Sequence, residues 1–342
     1  MTAGYRIAVD AMGGDYGPRV TVSAACEALQ RHPHLQILLF GQQSSLEPYL
    51  ARLPDSIKQR LQPIHAETIV TMDDKPSFAL RRRRDSSMFM ALKAVAEGRA
   101  DACVSAGNTG ALMAMGRCIL QTLPGIDRPA ITSAIPTLNG HAYMLDLGAN
   151  VDCSSEHLLQ FAIMGSVMLQ AVERIEHPRV GLLNIGAEEI KGNEQVRLAS
   201  RLLSEEPELN YIGFVEGDGV FAGKADLIVC DGFVGNISLK SSEGLARLIG
   251  RKVRQSFTRN LYRRLLAVLA RPILQELQEQ LDPGRRNGAS MLGLQGIVVK
   301  SHGSATQSCF SHAIDQAISE AEMNIPALIS EHLERHLSSS RR

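Results

Sequence analysis

Six short stretches of this chain combine glycine with a polar or charged side chain, and each follows an apolar run. They are Asp10-Ala-Met-Gly-Gly-Asp15, Ser105-Ala-Gly-Asn-Thr-Gly110, Asp146-Leu-Gly-Ala-Asn150, Asn184-Ile-Gly-Ala-Glu-Glu-Ile-Lys-Gly192, Asp231-Gly-Phe-Val-Gly-Asn236 and Lys300-Ser-His-Gly-Ser304. The second is the most informative. Ala102 to Ser105 reads as a buried strand, Ala106 to Gly110 as a turn of small residues, and a helix starts at Thr109. A strand, a tight turn and a helix N-terminus bring unpaired backbone N–H groups and the positive end of the helix dipole to one point, which is an anion site. Gly107 and Gly110 admit a ligand close to the backbone, and Asn108 tolerates the left-handed conformation while offering an amide. Any one such loop is an ordinary turn. Six of them, all after strands, point to one extended site, because ligands of open α/β sheets bind beyond the carboxyl ends of the strands. Asp10, Asp146 and Asp231 read as turn or helix caps.

The elements that must position these loops alternate along the chain. Strands are expected at Ile7–Val9, Ile37–Phe40, 69–71, Ala102–Ser105, Ile131–Ile135, Ala142–Leu147, Val180–Ile185, Tyr211–Val215, Asp226–Cys230 and Gly296–Lys300, with helices between most of them. Pro136 to Gly140 reads as a hairpin turn. This alternation predicts an α/β protein built on a doubly wound, mostly parallel sheet. Residues 1–337 are expected to form one catalytic domain, with 243–281 a helical extension and 338–342 a disordered tail. The 342 residues are 44% hydrophobic and carry 36 basic against 36 acidic side chains, so no general nucleic-acid binder is indicated. No apolar run approaches the ~20 residues of a membrane span, and the N-terminus enters a strand at once, with no signal peptide. The six cysteines lack paired spacing and read as free thiols of a reducing, cytoplasmic compartment. His332 and His336, four apart, lack a third ligand, so no metal is expected.

Taken in order, Asp-Ala-Met-Gly-Gly-Asp, Asp-Ser-Ser-Met, Val-Ser-Ala-Gly-Asn-Thr-Gly-Ala, Asp-Leu-Gly-Ala-Asn, Asn-Ile-Gly-x-Glu-x-x-Lys-Gly, Asp-Gly-Phe-x-Gly-Asn and Lys-Ser-His-Gly-Ser resemble the phosphate acyltransferase (PlsX) family of bacterial phospholipid synthesis. The resemblance runs from residue 5 to about 320. It implies an isocitrate/isopropylmalate-dehydrogenase-like fold shared with phosphotransacetylases. It also implies transfer of a fatty acyl group from acyl carrier protein to inorganic phosphate. The loop Asn287–Gly293 departs from the family pattern, in which a second glycine is expected at position 287 and proline at 290.

That chemistry suits the residues. Phosphate is its own nucleophile, and no Gly-x-Ser-x-Gly elbow is present. The leaving thiolate has a reference pKa of ~8.5, so a strong general acid is dispensable. The protein must hold a dianion against a thioester carbon and stabilise the oxyanion. Lys191 is the expected neutralising cation and Asn236 a neutral donor, a choice the resemblance shares. His302 is a donor to phosphate or a proton source for the thiolate. Ser105, Gly107, Asn108, Thr109 and Gly110, with Gly13 and Gly14, are the expected phosphate cradle, and no cofactor is required. Lys240 reads as a solvated helix lysine.

Two basic features concern partners. Arg81, Arg82, Arg83 and Arg84 would steer an acidic acyl carrier protein. The stretch Glu243–Leu281 combines Arg and Lys with an apolar stripe, broken at Pro272, that suits core packing, a dimer contact or a membrane surface. The resemblance favours a homodimer, peripheral at the inner face of the cell membrane, that hands acyl phosphate to a membrane glycerol-3-phosphate acyltransferase. A phosphotransacetylase-like enzyme using acyl-coenzyme A is the alternative reading, and a non-enzymatic scaffold would leave the anion cradle without a role.

Overall fold

The computed structural model describes residues 4–274, 276 and 288–339. The readings placed on Leu277, Leu281 and Asn287 lie outside these residues, as do residues 340–342 of the expected tail. The first half of the chain supplies β1 (Arg6–Asp10), α1 (Pro18–Arg31), β2 (Gln36–Gly41), α2 (Gln43–Leu50), α3 (Asp55–Lys58), β3 (Leu61–His65), α4 (Pro76–Arg82), α5 (Ser87–Ala96), β4 (Ala102–Ser105) and α6 (Thr109–Ile119). The second half continues with β5 (Ala130–Thr137), β6 (Gly140–Leu145), α7 (Ser155–Val172), β7 (Arg179–Leu183), α8 (Glu194–Glu205), β8 (Asn210–Val215), α9 (Gly217–Ala222), β9 (Leu227–Val229), α10 (Gly232–Thr258) and α11 (Leu261–Leu269). β10 (Ala289–Leu292), β11 (Ile297–Lys300) and the helices Gln307–Met323 and Ile325–Ser339 follow.

All eleven strands form one sheet in the order β3-β2-β1-β4-β11-β10-β5-β6-β9-β7-β8. Pairing is parallel on both flanks and antiparallel only at β11–β10, β10–β5 and β5–β6. Three reversals make the two flanks run in opposite directions. The register then fixes where they end. Val9, Val104, Val299, Ser290, Thr132, Leu145, Val229 and Leu182 lie on one continuous row across the sheet. Asp10, Ser105 and Lys300 stand one residue beyond this row on one side, and Asp146, Cys230 and Leu183 one residue beyond it on the other. The carboxyl ends of both flanks therefore meet on a common line. Three strand spacings, about 14 Å, separate β11 from β6.

Central strands such as β4 and β11 are buried at every position, as strands covered on both faces must be. One face packs under α1 and the helix Gln307–Met323, and under α7 and the helix Ile325–Ser339. The helix α7 starts with a capping box, Ser154 accepting from the His157 N–H while the His157 ring accepts from the Ser154 N–H, and it is apolar nearly all round. It buries Phe161, Met164, Met168 and Leu169, each worth about 1.5–3 kcal/mol. On the opposite face, α5 and α6 cover the first flank and the start of α10 leans on the second.

Several elements differ from expectation. No strand forms at 69–71; Thr68 makes a single bridge to Ser86 instead. The extra edge strand β3 contains Pro63, which an edge tolerates because its missing N–H faces no partner. The stretch Gly217–Ala222 forms a short helix between β8 and β9. The long helix begins at Gly232 and breaks at Asn260, whose side chain caps α11 by accepting from Arg263 N at 2.9 Å. Pro272 is not the breaker. Residues 271–274 are again helical, and proline fits a first turn because its missing N–H has no intrahelical acceptor there. The last helix runs through Ser339, two residues into the expected tail. No described helix is long and apolar enough to cross a membrane.

Candidate active site

On the first flank a buried carboxylate organises three segments. Asp10 at the end of β1 is 1% exposed. Its Oδ1 accepts from Ser87 Oγ at 2.6 Å and its Oδ2 from Ser105 Oγ at 2.7 Å. The N–H groups of Met12 and Gly13 also point at it. Burial pushes the Asp10 carboxyl up in pKa, and the two hydroxyls and two amides hold it back down. Ser105 Oγ in turn accepts from Gly107 N at 3.0 Å. Asn108 caps α6 by accepting from Ala111 N, and its Nδ2 donates to the carbonyls of Thr71, Met72 and Asp74.

These bonds revise the cradle. The hydroxyl of Ser105, the N–H groups of Gly13 and Gly107 and the amide of Asn108 hold the loop itself and are not open donors. Gly14, at φ 87°, packs against the Gly303 carbonyl and closes the neighbouring loops together. Thr109 and Gly110 are exposed in the first turn of α6, and their N–H groups have no acceptor among the described residues. Of the donors expected to form a cradle, these two are open.

The second flank repeats the device with different donors. Asp146 is fully buried; its Oδ1 accepts from Ile131 N and Ala149 N, and its Oδ2 from Asn150 N at 2.7 Å and Asn150 Nδ2 at 3.0 Å. Burial raises its pKa against these four bonds. The start of α10 is pressed onto this turn. A Cβ on Gly235 would lie 1.9 Å from the Asp146 carbonyl oxygen, so no other residue fits. Asp231 caps α10 by accepting from Val234 N at 2.8 Å. Asn236, exposed one turn on, packs over Gly148. Lys191 is exposed on the loop after β7 and makes no ion pair among the described residues. Its stem lies against Gly186, and its carbonyl accepts from Asn184 Nδ2.

The helix α10 starts at the loops of the second flank and brings Lys240 and Glu243 within electrostatic reach of the first. Lys240 and Glu243, one to two turns past Asn236, act electrostatically on His302, and Lys240 acts also on Lys300. Lys240 is ion-paired with Glu243 at 3.0 Å, so it is an ion-paired lysine, not merely a solvated one. Burial and then the Lys240 charge lower the His302 pKa, leaving the ring neutral at pH 7. Ser304 N donates to His302 Nδ1 at 3.2 Å, which places the proton on Nε2. The neutral ring keeps one N–H, on Nε2, which can donate a hydrogen bond.

Sequence reasoning gave Ser87 and Lys300 no role at this centre and read Asp10 only as a cap. Lys300 is 7% exposed and donates to the Ala106 carbonyl at 3.3 Å and to the Ser301 carbonyl. Burial brings its pKa down to about 8. The available signal was a lysine closing the wholly apolar run Ile297-Val-Val299. Outside the centre, Arg81, Arg82 and Arg84 are exposed, but Arg83 is turned inward, 3.5 Å from Asp74 and over the Phe78 ring. Its guanidinium is engaged within the molecule on one side, while 30% of the side chain remains exposed. Among the described residues no three His, Cys, Asp or Glu side chains group as a metal site.

A helix-covered α/β sheet with its polar, glycine-rich loops gathered at the strand ends is the frame on which α/β enzymes bind their ligands. A family model described as "Fatty acid synthesis protein" matches residues 5–328. The phosphate acyltransferase of Halorhodospira halophila is 55% identical over 337 residues, covering 98% of both chains. That of Pseudomonas savastanoi pv. phaseolicola is 56% identical over 328 residues, 96% of both. Among solved structures, a phosphotransacetylase from Streptococcus pyogenes aligns over 93% of this chain and 94% of its own with a TM-score of 0.61 at 20% identity. A branched-chain phosphotransacylase from Enterococcus faecalis aligns over 93% and 99% with a TM-score of 0.59 at 14% identity, and both show the fold. The chain belongs to the phosphate acyltransferase family and is an acyltransferase.

Proposed function

We propose that this enzyme transfers a fatty acyl group from the thioester of acyl carrier protein to inorganic phosphate. The acyl phosphate would then supply a membrane glycerol-3-phosphate acyltransferase in phospholipid synthesis. The observation that carries the reading is the common line of strand ends. Thr109 and Gly110 follow a strand of one flank, and Asn236 and Lys191 follow strands of the other; that all these strands end toward the same line supports one shared site. A phosphate oxygen attacks the thioester carbon, the oxyanion forms, and the C–S bond breaks to release the carrier thiolate, which takes a proton from water. In this scheme Lys191 neutralises charge on the phosphate, Asn236 donates to the oxyanion, and neutral His302 donates from Nε2 to phosphate. All three act by position and electrostatics, which supply most of the acceleration in reactions of this kind.

The exposed Arg81, Arg82 and Arg84 beside the segment tied by Asn108 support docking of an acidic carrier protein. The arm formed by α10 and α11 supports attachment to an anionic membrane face or a homodimer contact. Of the 27 residues of α10 only Gly232 and Gly235 are buried, and Leu261, Val268 and Leu269 of α11 are more than two-thirds exposed. The deciding experiment supplies acyl-carrier thioester and, separately, acyl-coenzyme A with phosphate, and traps acyl phosphate with hydroxylamine. Product from the carrier thioester is the expected result. Product from coenzyme A alone would select the phosphotransacetylase-like reading, and none from either would refute transfer to phosphate.

A further inference from the structure

Lys300 ends β11 with its ammonium buried against the backbone of the Ser105–Gly110 loop. Two of its donors engage the carbonyls of Ala106 and Ser301, and the third has no acceptor among the described residues. The Ala106 carbonyl and the Gly107 N–H belong to one peptide unit. The lysine holds the oxygen of that unit at 3.3 Å, and Ser105 Oγ, anchored on Asp10, holds its hydrogen with an N···O distance of 3.0 Å. A peptide unit gripped at both ends cannot flip, and the next units, which carry the open N–H groups of Thr109 and Gly110, inherit its orientation. A full charge in a water-poor position also acts on a nearby anion far more strongly than one at the surface.

We infer that Lys300 is the positioning residue for inorganic phosphate, locking the Ala106–Gly107 peptide and charging the cradle from behind. It acts through the loop and not through the acyl thioester. The identity of the anion rests on the proposed reaction; the role of the lysine does not. The charged groups around it are Asp10 and Asp15, which favour the ammonium, and Lys240, which opposes it. His302, with Glu243 near it, adjoins them, and the Cys103 thiol, pushed far up by burial beside Asp10, keeps its proton. Since the lysine titrates near pH 8, anion binding weakens as pH rises through that value.

The test is equilibrium dialysis of labelled phosphate against the full-length enzyme, with steady-state kinetics alongside. The variant Lys300→Met should bind phosphate at least about tenfold more weakly while the KM for the acyl thioester stays within about twofold. Should the variant fail to fold, the native enzyme decides. Direct binding of labelled sulfate, whose own charge is constant across neutral and alkaline pH, should weaken from pH 7 to pH 9. Phosphate binding unchanged in a folded variant, parallel loss of both KM values, or sulfate binding flat through pH 8 would each overturn the assignment. Intact phosphate binding without acyl phosphate formation would defeat the proposed reaction and leave Lys300 in place.

Discussion

Asp10 and Asp146 are two buried carboxylates at strand ends, and they do different work. Asp146 gathers amides from its own turn and from β5 within fifteen residues. Asp10 gathers hydroxyls from segments 77 and 95 residues away. The first is a local turn anchor, and the second staples distant loops into one surface. Hydroxyls rotate and can find water when the carboxylate is removed, whereas peptide N–H groups fixed in a buried turn cannot. The contrast predicts that Asp146→Ala costs more stability, about 4 kcal/mol against about 2 for Asp10→Ala. Activity should rank the other way in the folded fraction. Urea denaturation of both variants, paired with the hydroxylamine assay, checks this; equal stability losses would erase the distinction.

The exposed groups on the Asp146 side sharpen it further. Lys191→Ala should leave the melting temperature unchanged and lower turnover by about 3 kcal/mol of transition-state stabilisation, with Asn236→Ala lowering it by less. Circular dichroism melting and single-turnover rates would measure both. A third buried carboxyl, Glu320, receives the Ser290 hydroxyl and Gln316 Nε2, and burial raises its pKa from 4.5 to about 7. The native state therefore holds a proton that the unfolded chain has lost. Stability should be full below pH 4.5 and fall as pH rises through 7, by at most about 3 kcal/mol. Glu320→Gln should flatten that slope in a series of denaturation midpoints. Smallest is the effect in the arm, where little is buried. Leu266→Glu with Val268→Glu should shift the melting temperature by no more than a degree or two. The pair should abolish sedimentation with anionic vesicles. Vesicle binding equal to the parent's would assign the stripe to a contact between copies.

Much of this was legible in the residues. Glycine-closed apolar runs located the strand ends, and the start of α6 at Thr109 followed from small residues after Ser105. What escaped were features made by distance along the chain. Nothing local says that Ser87 meets Asp10, or that Lys300 turns inward to a carbonyl near residue 106. β3 was hidden by Pro63, and β10 by a run without a clear apolar pattern, Ala289-Ser-Met-Leu292, in which Ser290 stands where proline was expected and bonds to Glu320. The charge on Arg83 reads as part of a run until Asp74 and Phe78 fold beneath it. Polar pairs formed across the sheet leave no periodic trace, whereas burial patterns do.

The order of the strands also bears on how the chain is made. β10 and β11, among the last segments to leave the ribosome, fill the gap between β4 and β5. Until residue 300 has emerged, β4 and β5 each lack a neighbour on one side, and such unpaired edges invite pairing with other chains. Synthesis thus has a long exposed interval that ends with insertion of a central hairpin. A nascent chain halted before residue 289 should be protease-sensitive and bound by chaperones, and one extended past the helix Gln307–Met323 should resist digestion.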